Sequence, residues 1–98
     1  MRDRAERLVA LLNCWSDDAA AELFTDNVML DQPFDERAEA ARKLVEEHGS
    51  LTFARILAES ATSAIVVAHT RDAEVHIDFQ LSVGRPARIQ LYEVKIAE

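Results

Sequence analysis

The feature that most constrains this chain is a change in the spacing of its apolar residues at Gly49. Before that glycine, apolar residues recur at helical spacing. From Leu51 onward they alternate, and β-branched residues become common. A period of about 3.6 puts side chains on one stripe of a helix and a period of about 2 puts them on one face of a strand. The chain is therefore predicted to be helical first and a sheet afterwards. Only 2 glycines and 2 prolines occur in 98 residues, so there is no linker, and residues 1–98 are read as a single domain.

In the first half, Ala5, Leu8, Leu11 or Leu12, and Trp15 fall on one stripe of a first helix. Cys14 and Trp15 lie near that stripe and read as a packed thiol and a core indole. Ser16 is placed to cap a second helix, with Asp17 and Asp18 in its first turn and Ala20, Leu23 and Phe24 facing inward. Val28-Met29-Leu30 reads as a brief strand before Gln32-Pro33 turns the chain. Asp35 and Glu36 open a third helix, Ala38, Ala41, Leu44, Val45 and His48 line one side of it, and Gly49 sits where a left-handed cap residue is wanted. The charges Glu36, Arg37, Glu39, Arg42, Lys43, Glu46 and Glu47 read as its solvated face, with i,i+4 pairs such as Glu39 and Lys43.

The second half divides into four strands, Leu51 to Glu59, Ser63 to Thr70, Ala73 to Val83 and Ala87 to Ile96, with turns at Ser60-Ala61-Thr62, Arg71-Asp72 and Gly84-Arg85-Pro86. The third alternates most cleanly: Val75, Ile77, Phe79, Leu81 and Val83 on one face, Glu74, His76, Asp78, Gln80 and Ser82 on the other. In the fourth, Ile89 and Leu91 have one parity and Val94 and Ile96 the other, so a bulge is expected near Tyr92-Glu93. Helices followed by strands joined through short turns make an α+β domain: three helices packed on a curved antiparallel sheet of four long strands plus the short one.

Composition removes several functions. The net charge is −7, from 18 acidic against 11 basic residues, and such a chain repels phosphate backbones and anionic lipid. Nucleic acid and membranes are thus unexpected partners. Cys14 is the only cysteine, which excludes an internal disulfide and a multi-cysteine zinc site, and a cytoplasmic location is expected. With no glycine-rich turn following a strand, neither a dinucleotide nor a P-loop site can be built, and no cofactor is expected.

The segment Asp18-Ala-Ala-Ala-Glu-Leu-Phe-Thr-Asp-Asn-Val-Met-Leu-Asp-Gln-Pro33 resembles the entry to the cone of the nuclear transport factor 2-like superfamily, which includes SnoaL-like cyclases and ketosteroid isomerases. The resemblance implies a cone-like, cystatin-like roll. A narrower likeness joins Leu30 to Arg37 and Arg85 to Val94, which are similar to the small accessory domain of some β-lactamase-related serine hydrolases. It implies a hydrolase partner; the chain itself has no Ser-x-x-Lys and supports no serine acyl transfer. The isomerase branch places its general-base aspartate immediately before the proline, where this chain has Gln32, and uses a first-helix tyrosine, where this chain has none. Glutamine has no titratable proton, so no catalytic residue is assigned.

Candidate ligand-binding residues are His76, Asp78 and Gln80 on the polar face of the third strand, Arg88, Gln90 and Tyr92 on the fourth, and Asp31 beside Pro33, with Arg37 or Arg88 as its cationic partner. The competing reading of that polar face is solvation alone. His69 and His76 with nearby carboxylates are too sparse to assign a metal. The function expected is a non-catalytic small-ligand-binding or interaction module of the SnoaL-like type, forming a homodimer through Ile65, Val67, Ile89 and Leu91. The alternatives are a small isomerase- or cyclase-like enzyme using Asp31, His76 and Asp78, and a free-standing accessory domain for a serine hydrolase.

Overall fold

A computed structural model describes residues 1–84 and 87–97. Among them, α1 (Arg2–Asn13), α2 (Asp17–Leu23), α3 (Asp26–Asp31) and α4 (Phe34–His48) precede β1 (Thr52–Glu59), β2 (Ser63–His69), β3 (Glu74–Leu81) and β4 (Ile89–Ala97). The strands form one open antiparallel sheet in the order β1-β2-β3-β4. The architecture is α+β, as the change of period predicts. The predicted turn residues Arg85 and Pro86 lie outside the described residues. No helix among those described is long and apolar enough to cross a membrane.

The sheet has two unlike faces because its side chains alternate. Val75, Ile77, Phe79 and Leu81 of β3 are buried on the face that the helices cover. Register places Ala64, Val66 and Ala68 of β2 and Tyr92, Val94 and Ile96 of β4 beside them. The helical layer reaches this face through Ala5, Leu8, Leu11 and Leu12 of α1, Ala20, Leu23 and Phe24 around α2, and Val28 of α3. The opposite face carries Glu74, His76, Asp78 and Gln80.

Four details differ from the sequence reading. Val28-Met29-Leu30 is helical, not a strand. Three apolar residues carry no period, and Thr25 in an extended conformation followed by Asp26 is itself a helix start. The sheet contact falls earlier, where Phe24 bridges Ile89 and the Thr25 amide donates to the Ile89 carbonyl at 2.9 Å. The bulge of β4 is at Gln90: Ile89 lies opposite Leu81 and Leu91 opposite Gln80. This position turns Ile89 and Tyr92 inward together and leaves Leu91 outside, whereas a bulge at Tyr92-Glu93 would take the ring out of phase. β3 ends at Leu81, and Val83 is 98% exposed. Finally, Cys14 is exposed, because α1 ends at Asn13 and the chain leaves the apolar stripe there.

Asn13 ties the two halves together. Its amide donates to the Leu51 carbonyl at 2.8 Å and accepts from the Leu51 amide at 2.7 Å, fixing the end of α1 against the start of β1. At the other end of α4, Gly49 has φ of 92°, a region that an L-side chain adopts only with strain. The substitution Asn13→Ala removes both bonds and leaves a buried residue's backbone unpaired. It is expected to lower stability by about 2 kcal/mol, read as a shift in the urea midpoint at unchanged slope.

Candidate functional site

α4 contains the one buried charged residue among those described: Arg37, 8% exposed. Its position explains the burial. Arg37 precedes Ala41 by four residues and so falls on the same inward stripe of the helix as Ala41 and Leu44, not on the solvated face with Glu39, Arg42 and Glu46. Its Nε donates to the Gln32 carbonyl at 3.3 Å, and its guanidinium lies 4.8 Å from the centre of the Tyr92 ring. Among the described residues no carboxylate comes within 4.0 Å of it. A cation over an aromatic face is attracted by the ring quadrupole, and that attraction grows as water is excluded.

Tyr92 is held by a cluster of rings. Phe24 stacks on it at 5.2 Å with an interplanar angle of 8°. Phe34 packs against Phe24 at 6.2 Å, and Trp15 meets Phe34 edge-on at 5.8 Å. α2, the start of α4 and β4 thus meet around aromatic rings, whose packing favours offset and edge contacts. Burial pushes the Tyr92 hydroxyl above its ordinary value, and the nearby Arg37 guanidinium pulls in the opposite sense.

Beside this pair is a cleft of about 240 Å³ between α4 and the outer strand β4. It exists because α4 rests on α1 and presents the small side chains Ala40 and Ala41 toward the sheet edge. Leu12, Leu44, Val94 and Ile96 complete its apolar walls, and among the described residues Arg37 and Tyr92 are the only ionisable groups lining it. A wider groove of about 330 Å³ lies on the other flank of α4, where Arg42 is already paired with Glu39 and Glu46. The first cleft is the better candidate because no carboxylate among the described residues neutralises its cation.

Of the candidate ligand-binding residues read from the sequence, only Tyr92 lines this cleft, together with Arg37, which enters that reading only as a partner for Asp31. His76, Asp78 and Gln80 are on the opposite face of the sheet, where Asp78 and Gln80 border a shallow depression near the β1–β2 turn. Arg88 and Gln90 are exposed, Arg88 just before β4 with its amide on the Ser82 hydroxyl at 3.1 Å, and Gln90 in the bulge. Asp31 is exposed at the end of α3, in the helical layer, and pairs with neither Arg37 nor Arg88. Asp31 therefore does not meet His76 and Asp78, because strand alternation puts those two on the far side of the sheet. Of the four residues expected to form a dimer surface, Ile89 is buried under the helices and Val67 is fully buried within the sheet, so neither can share an exposed surface with Ile65 and Leu91. Sequence reasoning placed Arg37 in the solvated run of α4 or made it the partner of Asp31, and in neither case part of a cleft. Its inward stripe position relative to Ala41 was the signal that could have found it.

The far face of the sheet holds a charge network around Glu74, with His76 at 2.9 Å, His69 at 3.5 Å and Arg55 at 3.9 Å. No group of three or more metal-ligating side chains with suitable geometry occurs among the described residues. The hydrogen bond from His76 lowers the Glu74 carboxyl, and that from His48 at 3.0 Å lowers Asp72. A carboxyl lowered in the folded state contributes stability above its ordinary value, and that contribution is lost as pH falls through the lowered one. Acidification through the carboxylate range should reduce the thermal midpoint of the native chain, and Asp72→Asn should flatten that loss while changing little at neutral pH, where exposed pairs contribute weakly.

Comparison with protein-family models, with curated proteins and with solved structures finds no match to this chain.

Proposed function

We propose that this chain is a non-catalytic module that binds a small, largely apolar ligand in the cleft between α4 and β4. The observation that carries the reading is the cleft itself: apolar walls around a buried cation that no carboxylate of the described residues answers. Binding sites of this kind are mostly apolar with a few placed polar groups, and about 240 Å³ is a fragment-sized example. The lining supports a binding role: near neutral pH a guanidinium stays charged and a phenol whose pKa is raised stays neutral, so neither is poised as a general base in this cleft. The order of helices followed by an antiparallel sheet is compatible with the resemblance to SnoaL-like, nuclear transport factor 2-like cones, in which Gln32 would stand where the isomerases have an aspartate, although the short strand of that pattern is helical here.

Titration of the ¹⁵N-labelled chain with 1-octanol tests the reading. Saturable shifts confined to Ala40, Leu44, Val94, Ile96 and their neighbours are expected. Absent shifts, or shifts scattered over the whole chain, would contradict it.

A second reading, self-association through the uncovered sheet face, is favoured by one pattern. Register aligns Arg55, Val67, His76 and Lys95 in one row across the sheet and Ala58, Ile65, Asp78 and Glu93 in the next. A twofold axis running across the strands would lay the basic row of one copy on the acidic row of the other, around Ile65. Sedimentation equilibrium should then give a dimer that weakens with salt; a monomer at about 0.1 mM and low salt would overturn it.

A further inference from the structure

Resting on the proposal that the α4–β4 cleft binds a small apolar ligand, we infer that the ligand class is an amphipathic monocarboxylate, its acid group held by Arg37 and Tyr92 and its tail lying along Leu44, Val94 and Ile96. Three observations select this chemistry.

The first is the unanswered charge. Arg37 is more than nine-tenths buried, lines the cleft, gives its Nε–H to the Gln32 carbonyl and also interacts with the Tyr92 hydroxyl, with no carboxylate of the described residues answering its charge. A guanidinium has five N–H donors in a planar fork that matches a carboxylate, so the remaining donors suit a bidentate anion better than a neutral polar group. The second is Tyr92. Its hydroxyl is raised by burial, stays protonated at neutral pH, and is therefore a donor that a carboxylate accepts from. The third is the limit on charge and size. Among the described residues one arginine and no second cation line the cleft, and the chain carries −7 overall. A dianion such as a phosphate monoester would remain half neutralised in a field of the wrong sign. A cleft of about 240 Å³ that is open on one side is fragment-sized and suits a short aliphatic acid with the end of its tail at the mouth.

The test compares probes of one chain length on the intact protein by ¹⁵N chemical-shift titration: octanoate, 1-octanol, octylamine and octyl phosphate. Octanoate is expected to bind at least about tenfold more tightly than 1-octanol, octylamine not to compete, and octyl phosphate to bind no better than octanoate. Arg37→Gln should reduce octanoate affinity by at least about tenfold while leaving 1-octanol affinity within about twofold, and Arg37→Lys should recover part of the loss. Equal affinity for octanoate and 1-octanol, or tighter binding of octyl phosphate, would overturn the carboxylate assignment while leaving the cleft as an apolar site. Failure of every probe to shift cleft residues would overturn the cleft reading itself. Should Arg37→Gln fail to fold, the probe comparison on the native chain decides.

Discussion

Replacing Phe79 with alanine is expected to cost about 3–5 kcal/mol, enough to leave a domain of this size marginal or unfolded at ambient temperature. Phe79 is fully buried at the middle of β3, opposite Ala64 on one side and Tyr92 on the other. Removing its ring deletes apolar contact and opens a cavity that the sheet backbone is too rigid to close. The adjacent substitution Asp78→Ala is the control. Asp78 points to the uncovered face, so its loss should change stability by no more than about 0.5 kcal/mol. Equilibrium unfolding in urea reads both, and a similar cost at the two positions would mean that β3 does not present one dry face.

The second large effect is expected at Phe24. Its ring is 2% exposed and touches Trp15, Phe34 and Tyr92 at centroid distances of 6.1, 6.2 and 5.2 Å. Phe24→Ala should cost about 3–5 kcal/mol. It should also alter the emission of Trp15, the single tryptophan, because the indole loses a ring neighbour. Phe24→Leu keeps most of the volume and should recover much of the stability, leaving a deficit of about 0.5–1.5 kcal/mol from lost ring–ring geometry. Octanoate affinity should fall in Phe24→Leu, since Tyr92 stacks on this ring and would lose its fixed orientation. Unchanged stability in Phe24→Ala would remove the aromatic junction as a structural element.

Much of the fold was legible because hydrophobic period is a strong signal in long segments. Alternation over β3 and the inward stripe of α1 each span enough residues for one period to dominate. The readings that failed were short or local. Val28-Met29-Leu30 contains too few residues to show a period, and the helix signal lay in Thr25 and Asp26 before it. In β4, parity required a bulge without locating it; burial of Tyr92 against Phe24 chose Gln90, and that contact joins residues far apart in sequence. The site was less legible than the fold. Polar residues on β3 invited a functional reading, yet alternation sends them to the uncovered face, while the residue that carries the cleft, Arg37, stands in a run of charges typical of a solvated helix.

Placement of the Arg37 side chain over the Tyr92 ring is the claim on which the cleft depends, and its proton shifts report it most directly. With the guanidinium above the ring face, the Arg37 δ-protons should resonate clearly upfield of their position in an unstructured peptide, and Tyr92→Leu should return them toward that position. Arg37 δ-protons at unstructured values in the folded native chain would contradict the arrangement and, with it, the site.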